Sequence, residues 1–143
     1  MIERIVYKKE LLSIIIRANY RADGIQFFTA DDSEQQLAYM SRPKGYEIPP
    51  HVHNPVKREV YITQEVLYIK SGIVRVDYYD SKKNYLESRN LYTGDVILLA
   101  SGGHGFFMCE DSEIIEVKQG PYAQGLDKTR FNSIDNNQVR MEP

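Results

Sequence analysis

The 143-residue sequence contains one cysteine, Cys109, so no disulfide can form within the chain, and a reducing compartment such as the cytoplasm is expected. It has no strong excess of either charge: 18 Lys and Arg stand against 20 Asp and Glu, a formal net charge of −2. A general nucleic-acid binder would show a basic excess, so no nucleic-acid partner is expected. Long apolar runs are missing too. Leu11-Leu12 and Ile14 to Ile16 fall far short of bilayer-spanning length, so no membrane partner is expected. Lys8, Lys9, Glu10 and Arg17 bracket that stretch and no small-residue cleavage site follows it, which does not read as a secretory signal. Histidine is scarce as well, and the 3 present all fall in one pattern.

What is abundant is strand-forming sequence. Leu11 to Ile16, Ile25 to Thr29, Glu65 to Lys70, Ile73 to Tyr79, Asp95 to Leu99, Gly105 to Cys109 and Ile114 to Lys118 are rich in β-branched and aromatic residues. Turn chemistry separates them at Asp23-Gly24, Ser71-Gly72, Asp80-Ser81, Thr93-Gly94, Ser101-Gly102-Gly103 and Glu110-Asp111-Ser112. Ile73 to Tyr79 alternates, with Val74, Val76 and Tyr78 on one face and Arg75, Asp77 and Tyr79 on the other. Short strands at this spacing predict an all-β sandwich, jelly roll or barrel. A single helical turn is expected at Asp31 to Gln36, with Ser33 and Gln36 as a capping box. No internal boundary divides residues 1–120, which read as one domain. Residues 121–143 are polar and read as an arm docked through Phe131.

His51 and His53 lie two residues apart, so a strand through them would point both imidazoles the same way. Glu65 heads a strand-like run that ends at Gly72, and His104 follows Gly94-Asp95-Val96-Ile97-Leu98-Leu99-Ala100-Ser101-Gly102-Gly103. Three imidazoles and a carboxylate from neighbouring strands can surround a divalent transition metal. The stretch Gly45 to His53 followed by Glu65 to Gly72 resembles the first signature of the cupin superfamily, and Gly94 to His104 resembles its second. Together the two motifs span about residues 42–110. The resemblance implies a double-stranded β-helix, the jelly-roll cupin barrel, with His51, His53, Glu65 and His104 as metal ligands.

The chain departs from that pattern at three places. Eleven residues separate His53 from Glu65, where the family has only a few, so Asn54 to Gln64 reads as an enlarged loop or hairpin at the site's edge. Glu59 lies nearer the family spacing and is the rival ligand. Glu65 is preferred because it alone has a glycine, Gly72, at the matching offset. Ala100 stands where a proline is expected, and one residue is missing between Gly102 and His104. Consecutive glycines can absorb that shift.

The expected donor set has a net charge of −1, so a divalent ion keeps positive charge with which to polarise a bound oxygen. Fe, Mn, Ni, Co, Cu and Zn all suit it, and ligation requires neutral imidazoles, so binding should weaken below a pH of about 6.5. Arg42 and Lys44, with Lys57 and Arg58, are placed to meet an anionic ligand, and Tyr46 to stack on a sugar. Glu59 and Tyr61 are the candidate catalytic groups for moving a proton. Phe106 and Met108 share parity with His104 and would wall an apolar cavity, whereas Cys109 would point away. The implied activity is that of a metal-dependent isomerase, epimerase or oxygenase acting on a sugar or a hydroxy or keto acid. The resemblance favours carbohydrate metabolism and pairing of barrels as a homodimer. The competing expectation is a non-catalytic sugar-binding module with a structural metal.

Overall fold

The structure, a computed structural model, describes all 143 residues and is almost entirely strand and turn. Ten strands follow one another: β1 (Ile2–Tyr7), β2 (Glu10–Ile16), β3 (Gly24–Phe27), β4 (Ala38–Ser41), β5 (Glu65–Ser71), β6 (Ile73–Tyr79), β7 (Tyr85–Tyr92), β8 (Val96–Leu99), β9 (Gly103–Met108) and β10 (Glu113–Lys118). A single turn of 3-10 helix, Asn136–Gln138, lies near the C-terminus. No helix is long and apolar enough to cross a membrane. The chain forms two compact units, Met1–Tyr20 with Thr63–Pro143, and Arg21–Ile62.

The larger unit contains two antiparallel sheets, one in the order β1-β2-β8-β5-β10 and one in the order β7-β6-β9. Their inner faces pack together. Ile5, Ile15, Leu67, Ile69, Ile97 and Leu99 from the first sheet meet Val74, Val76, Tyr78 and Leu91 from the second. Burial of these side chains is the main stabilising term, at about 1.5–3 kcal/mol for each large residue. Tyr78 is fully buried because its hydroxyl is matched by Ser13 Oγ at 2.6 Å. The two sheets do not close into a barrel: no ladder joins β1 to β7 or β10 to β9. Side-chain contacts span between the sheets instead, and several are polar. Arg17 donates to Glu3 at 2.5 Å, to Asp95 at 2.7 Å and to the Asn90 carbonyl at 2.7 Å.

Asp95 is the tie at the entry to β8. Its carboxylate accepts from the backbone N–H groups of Ala18 (2.8 Å) and Tyr92 (2.9 Å) as well as from Arg17, and its carbonyl accepts from Ile69. Gly72 makes the β5–β6 turn at a φ of 84°. A Cβ there would lie 2.3 Å from Ser112 Oγ and 2.4 Å from the Asp111 carbonyl, so no other residue fits.

The alternation expected along β6 is present, but both of its faces are covered. Val74, Val76 and Tyr78 enter the core, while Arg75, Asp77 and Tyr79 are buried on the opposite side by the C-terminal arm. Phe131 packs edge-on against Tyr79 with ring centroids 5.0 Å apart, and Ile134 N–H donates to the Tyr79 hydroxyl at 2.9 Å. Ser88 N–H donates to Arg140 O, and Glu142 N–H donates to Ser88 O, which seats the arm along the free edge of β7. Beneath it Arg75 grips Asp77 through Nε (2.8 Å) and Nη2 (3.1 Å), and Ser88 Oγ donates to Asp77 at 2.5 Å.

The smaller unit holds the β3–β4 hairpin and an irregular stretch from Arg42 onward. The helical turn expected at Asp31 to Gln36 is absent. Gln36 Nε2 instead donates to the Ala30 carbonyl at 2.8 Å, and Thr29 Oγ1 donates to Gln36 Oε1 at 2.9 Å, which holds this stretch as an open loop. The expected strand through His51 and His53 is absent as well. Pro49, Pro50 and Pro55 surround the pair, and a proline brings no N–H to a ladder and restricts the residue before it.

The Arg75–Asp77 pair gives a stability prediction. Asp77→Ala leaves a buried guanidinium and a buried hydroxyl without their acceptor, and should cost about 3–5 kcal/mol in urea unfolding. Lys70→Ala, which removes an exposed pair with Glu113, should cost less than about 1 kcal/mol.

Candidate metal centre

Glu65 opens β5 opposite Leu99 of β8, and it shares parity with Leu67 and Ile69, so its side chain faces the interior. His104 on β9 lies opposite Tyr78 of β6 and shares parity with Phe106, which packs on the core, so it faces the same interior from the other sheet. The two meet with His104 Nε2 3.2 Å from Glu65 Oε2. Gly102, just before His104, takes a φ of 71°, and a Cβ there would lie 2.8 Å from the Tyr79 carbonyl and 2.9 Å from Leu12. The ring of His104 leans on Phe106 with centroids 5.5 Å apart.

The hydrogen bond from His104 holds the Glu65 carboxyl below its ordinary value of 4.5, against the opposing effect of burial and with help from the charges of Lys118 and Lys128. Glu65 is therefore an ionised donor at neutral pH. Two donor atoms about 2.1 Å from one shared ion stand roughly 3.0–3.4 Å apart at octahedral or tetrahedral angles. The observed 3.2 Å fits that separation without rearrangement.

His51 and His53 belong to the smaller unit. Their rings lie edge to face with centroids 5.3 Å apart although no strand aligns them. His51 Nδ1 is 3.0 Å from the Pro49 carbonyl, which can only accept, so the proton sits on Nδ1 and the Nε2 lone pair is free. That is the tautomer a metal-ligating histidine needs. Each pair thus fits a metal by its chemistry. Nowhere does the structure gather three or more His, Cys, Asp or Glu side chains into a group that could hold an ion.

Glu59, the rival ligand and candidate base, is fully exposed in the smaller unit. It accepts from the Tyr61 hydroxyl at 2.9 Å and pairs with Lys57 at 3.2 Å. Those two contacts hold its carboxyl below the ordinary value, which makes it a weaker base. The backbone N–H groups of Tyr61 and Ile62 are in turn held by the Glu34 carboxylate. Arg42 lies 4.7 Å from the centroid of Tyr46, so these two expected substrate contacts form one exposed stack, while Lys44 is exposed. Phe106 lies at the core margin, but Met108 is exposed at the end of β9 and does not wall a cavity. Cys109 is exposed just beyond it.

Gln64 carries no motif signal in the sequence but is held at the start of β5. Its N–H donates to Gln119 Oε1 at 2.6 Å and its side-chain amide to the Ala100 carbonyl at 3.2 Å, so it fixes the start of β5 next to Glu65. Comparison with protein-family models, curated proteins and solved structures finds nothing that matches the chain.

A carboxyl whose native pKa lies below its unfolded value contributes stability that is fully present above the unfolded value and lost as pH falls through the native one. The advantage of the wild type over Glu65→Gln in urea unfolding should therefore shrink as pH drops from about 6 to about 3. An advantage that stays constant over this range would show that His104 does not stabilise the ionised carboxylate.

Proposed function

We propose that this chain is a cupin-like protein that holds one divalent transition metal through His51, His53, Glu65 and His104. The reading rests on one observation above the others: two residues drawn from separate motifs, on separate sheets, face one interior 3.2 Å apart. The strand order supports a jelly-roll topology, since β8 lies between β2 and β5, far from it in sequence. The role proposed for Glu65 over Glu59 is supported by the burial of Glu65 and its contact with His104, against the exposure of Glu59.

A metal bound there would supply Lewis acidity toward oxygens of a small polar ligand such as a sugar or a hydroxy or keto acid. The chain's own contribution is to keep Glu65 ionised, orient His104 through the turn at Gly102, and keep water from one side of the imidazole with Phe106. Tyr46 with Arg42, and Lys44, would meet an anionic or carbohydrate ligand. Substrate turnover of the isomerase, epimerase or oxygenase kind is the first reading. The state of Glu59 favours a second: its basicity is reduced by Tyr61 and Lys57, which suits a binding module whose metal is structural. Pairing of two copies into a homodimer belongs to either reading.

Elemental analysis of natively purified chain should find about one equivalent of a divalent transition metal. Glu65→Gln and His104→Ala should each weaken its affinity by more than about tenfold, and Glu59→Gln should leave it unchanged. Retention of the metal by both of the first two variants would refute the site. Incubating the loaded protein with sugars and hydroxy acids separates the readings: conversion supports an enzyme, and saturable binding without conversion supports a module.

A further inference from the structure

Two hairpin tips of the larger unit meet around a cavity whose lining includes neither Glu65 nor His104. The β1–β2 turn is Lys8-Lys9, and the β6–β7 turn runs from Asp80 to Asn84. The cavity has a volume of about 360 Å³ and is lined by Tyr7, Lys8 and Glu10 on one side and by Asp80, Ser81, Lys82 and Asn84 on the other.

The choice of residue at these tips is not explained by the turns. Lys8, Lys9 and Lys83 have φ of 49°, 71° and 69°, in the left-handed region that favours glycine or asparagine. A lysine pays backbone energy there and, unlike asparagine, returns no local side-chain hydrogen bond. Three of the chain's 4 non-glycine residues with positive φ are these lysines. The lysines that pair with carboxylates are Lys57, Lys70 and Lys118, none of them at the tips. Lys8 and Lys83 lie over the rings of Tyr7 and Phe131 instead, at 5.1 and 5.8 Å. Asp80 is occupied by its own turn: Oδ1 accepts from the N–H groups of Lys82 and Asn84, both at 2.9 Å, and Oδ2 from the Asn84 amide at 3.0 Å. Four lysines against Glu10 and Asp80 leave a local surplus of positive charge in a chain whose net charge is −2.

We propose that this cavity binds the phosphate group of a small phosphorylated sugar. Lys8 and Lys82 both line the space, so a phosphate held there would draw on their ammonium groups, with Lys9 and Lys83 adding to the positive field. The rest of the lining suits a polyol. Ser81 offers a hydroxyl and Glu10 an acceptor for sugar hydroxyls. The same two acidic side chains oppose a long polyanion laid across the tips. The volume is in the range of small-molecule sites. This site shares no residue with the proposed metal centre and does not depend on it.

The test is an amide NMR titration of the full chain in the presence of a chelator, with glucose 6-phosphate, inorganic phosphate and glucose as probes. Glucose 6-phosphate should give saturable shifts at residues 7–10 and 80–84, inorganic phosphate weaker ones, and glucose none. Binding should weaken with added salt. Lys8→Asn combined with Lys82→Ala should bind about tenfold more weakly or worse. Asparagine tolerates the Lys8 backbone, and Lys82→Ala alone, at an ordinary φ, serves as the second variant. No saturable shift at these tips with either phosphate probe, or unchanged binding by the variants, would overturn the proposal. Equal affinity for inorganic phosphate and glucose 6-phosphate would overturn its sugar part.

Discussion

The geometry of the larger unit depends on the pairing of one short strand, β8. It is hydrogen-bonded to β2 on one side and β5 on the other, so that Leu99 lies opposite both Ser13 and Glu65, and Ile97 opposite Ile15 and Leu67. With Ile97 and Leu99 in the core, the pleat leaves no freedom: Ser13 and Glu65 must face inward too. Ser13 then meets Tyr78 and Glu65 meets His104, each reaching across from one sheet to the other. A slip of one residue would turn Glu65 outward and expose the apolar row beside it. Asp95 guards against that slip, since it ties the entry of β8 to Ala18, Tyr92 and Ile69 at once.

The same sheets stay open at their edges, and polar side chains occupy the openings. Arg17, held by Glu3 and Asp95, reaches the Asn90 carbonyl of β7 on the β1 side, and Glu65 with His104 spans the side of β5 and β9. Polar groups at such margins are tolerated because each finds a partner, whereas an unpaired one would cost the full loss of hydration. On the outer face of β6 the C-terminal arm performs the same service for Arg75, Asp77 and Tyr79, so a polar segment becomes the cover of a polar sheet face.

Much of this was readable beforehand, and the failures have physical causes. The strands around Ile14, Leu67, Val76 and Ile97 announce themselves because their residues are apolar where the core needs them. β7 does not, since its Glu87, Ser88 and Arg89 are polar: Arg89 pairs with Glu87 of the same strand and reaches toward Glu3, and Ser88 bonds Asp77 of β6, contacts that no apolar pattern encodes. β1 hides for a similar reason, with Glu3 paired to Arg17 and Arg89, and β4 is too short to carry a period. In the candidate site the motif resemblance puts Glu65 and His104 in one ligand set, and the structure brings these two side chains within 3.2 Å of each other. The geometry of His51 and His53 does not follow from parity, because Pro49, Pro50 and Pro55 prevent a strand in that segment. The nearness of their rings comes from local chain geometry instead. Gln64 is fixed by Gln119 and Ala100, and the charge of Lys128 favours the ionised Glu65, all from positions distant in sequence that leave no local trace.

The proposed metal centre would draw on the imidazoles of His51, His53 and His104 and the carboxylate of Glu65. X-ray absorption of the cobalt-substituted chain tests it directly, because scattering from imidazole rings counts histidine ligands. The account predicts a nitrogen and oxygen shell at about 2.1 Å with three imidazoles, falling to two in His104→Ala. A shell without imidazole scattering, or one unchanged in His104→Ala, would contradict it.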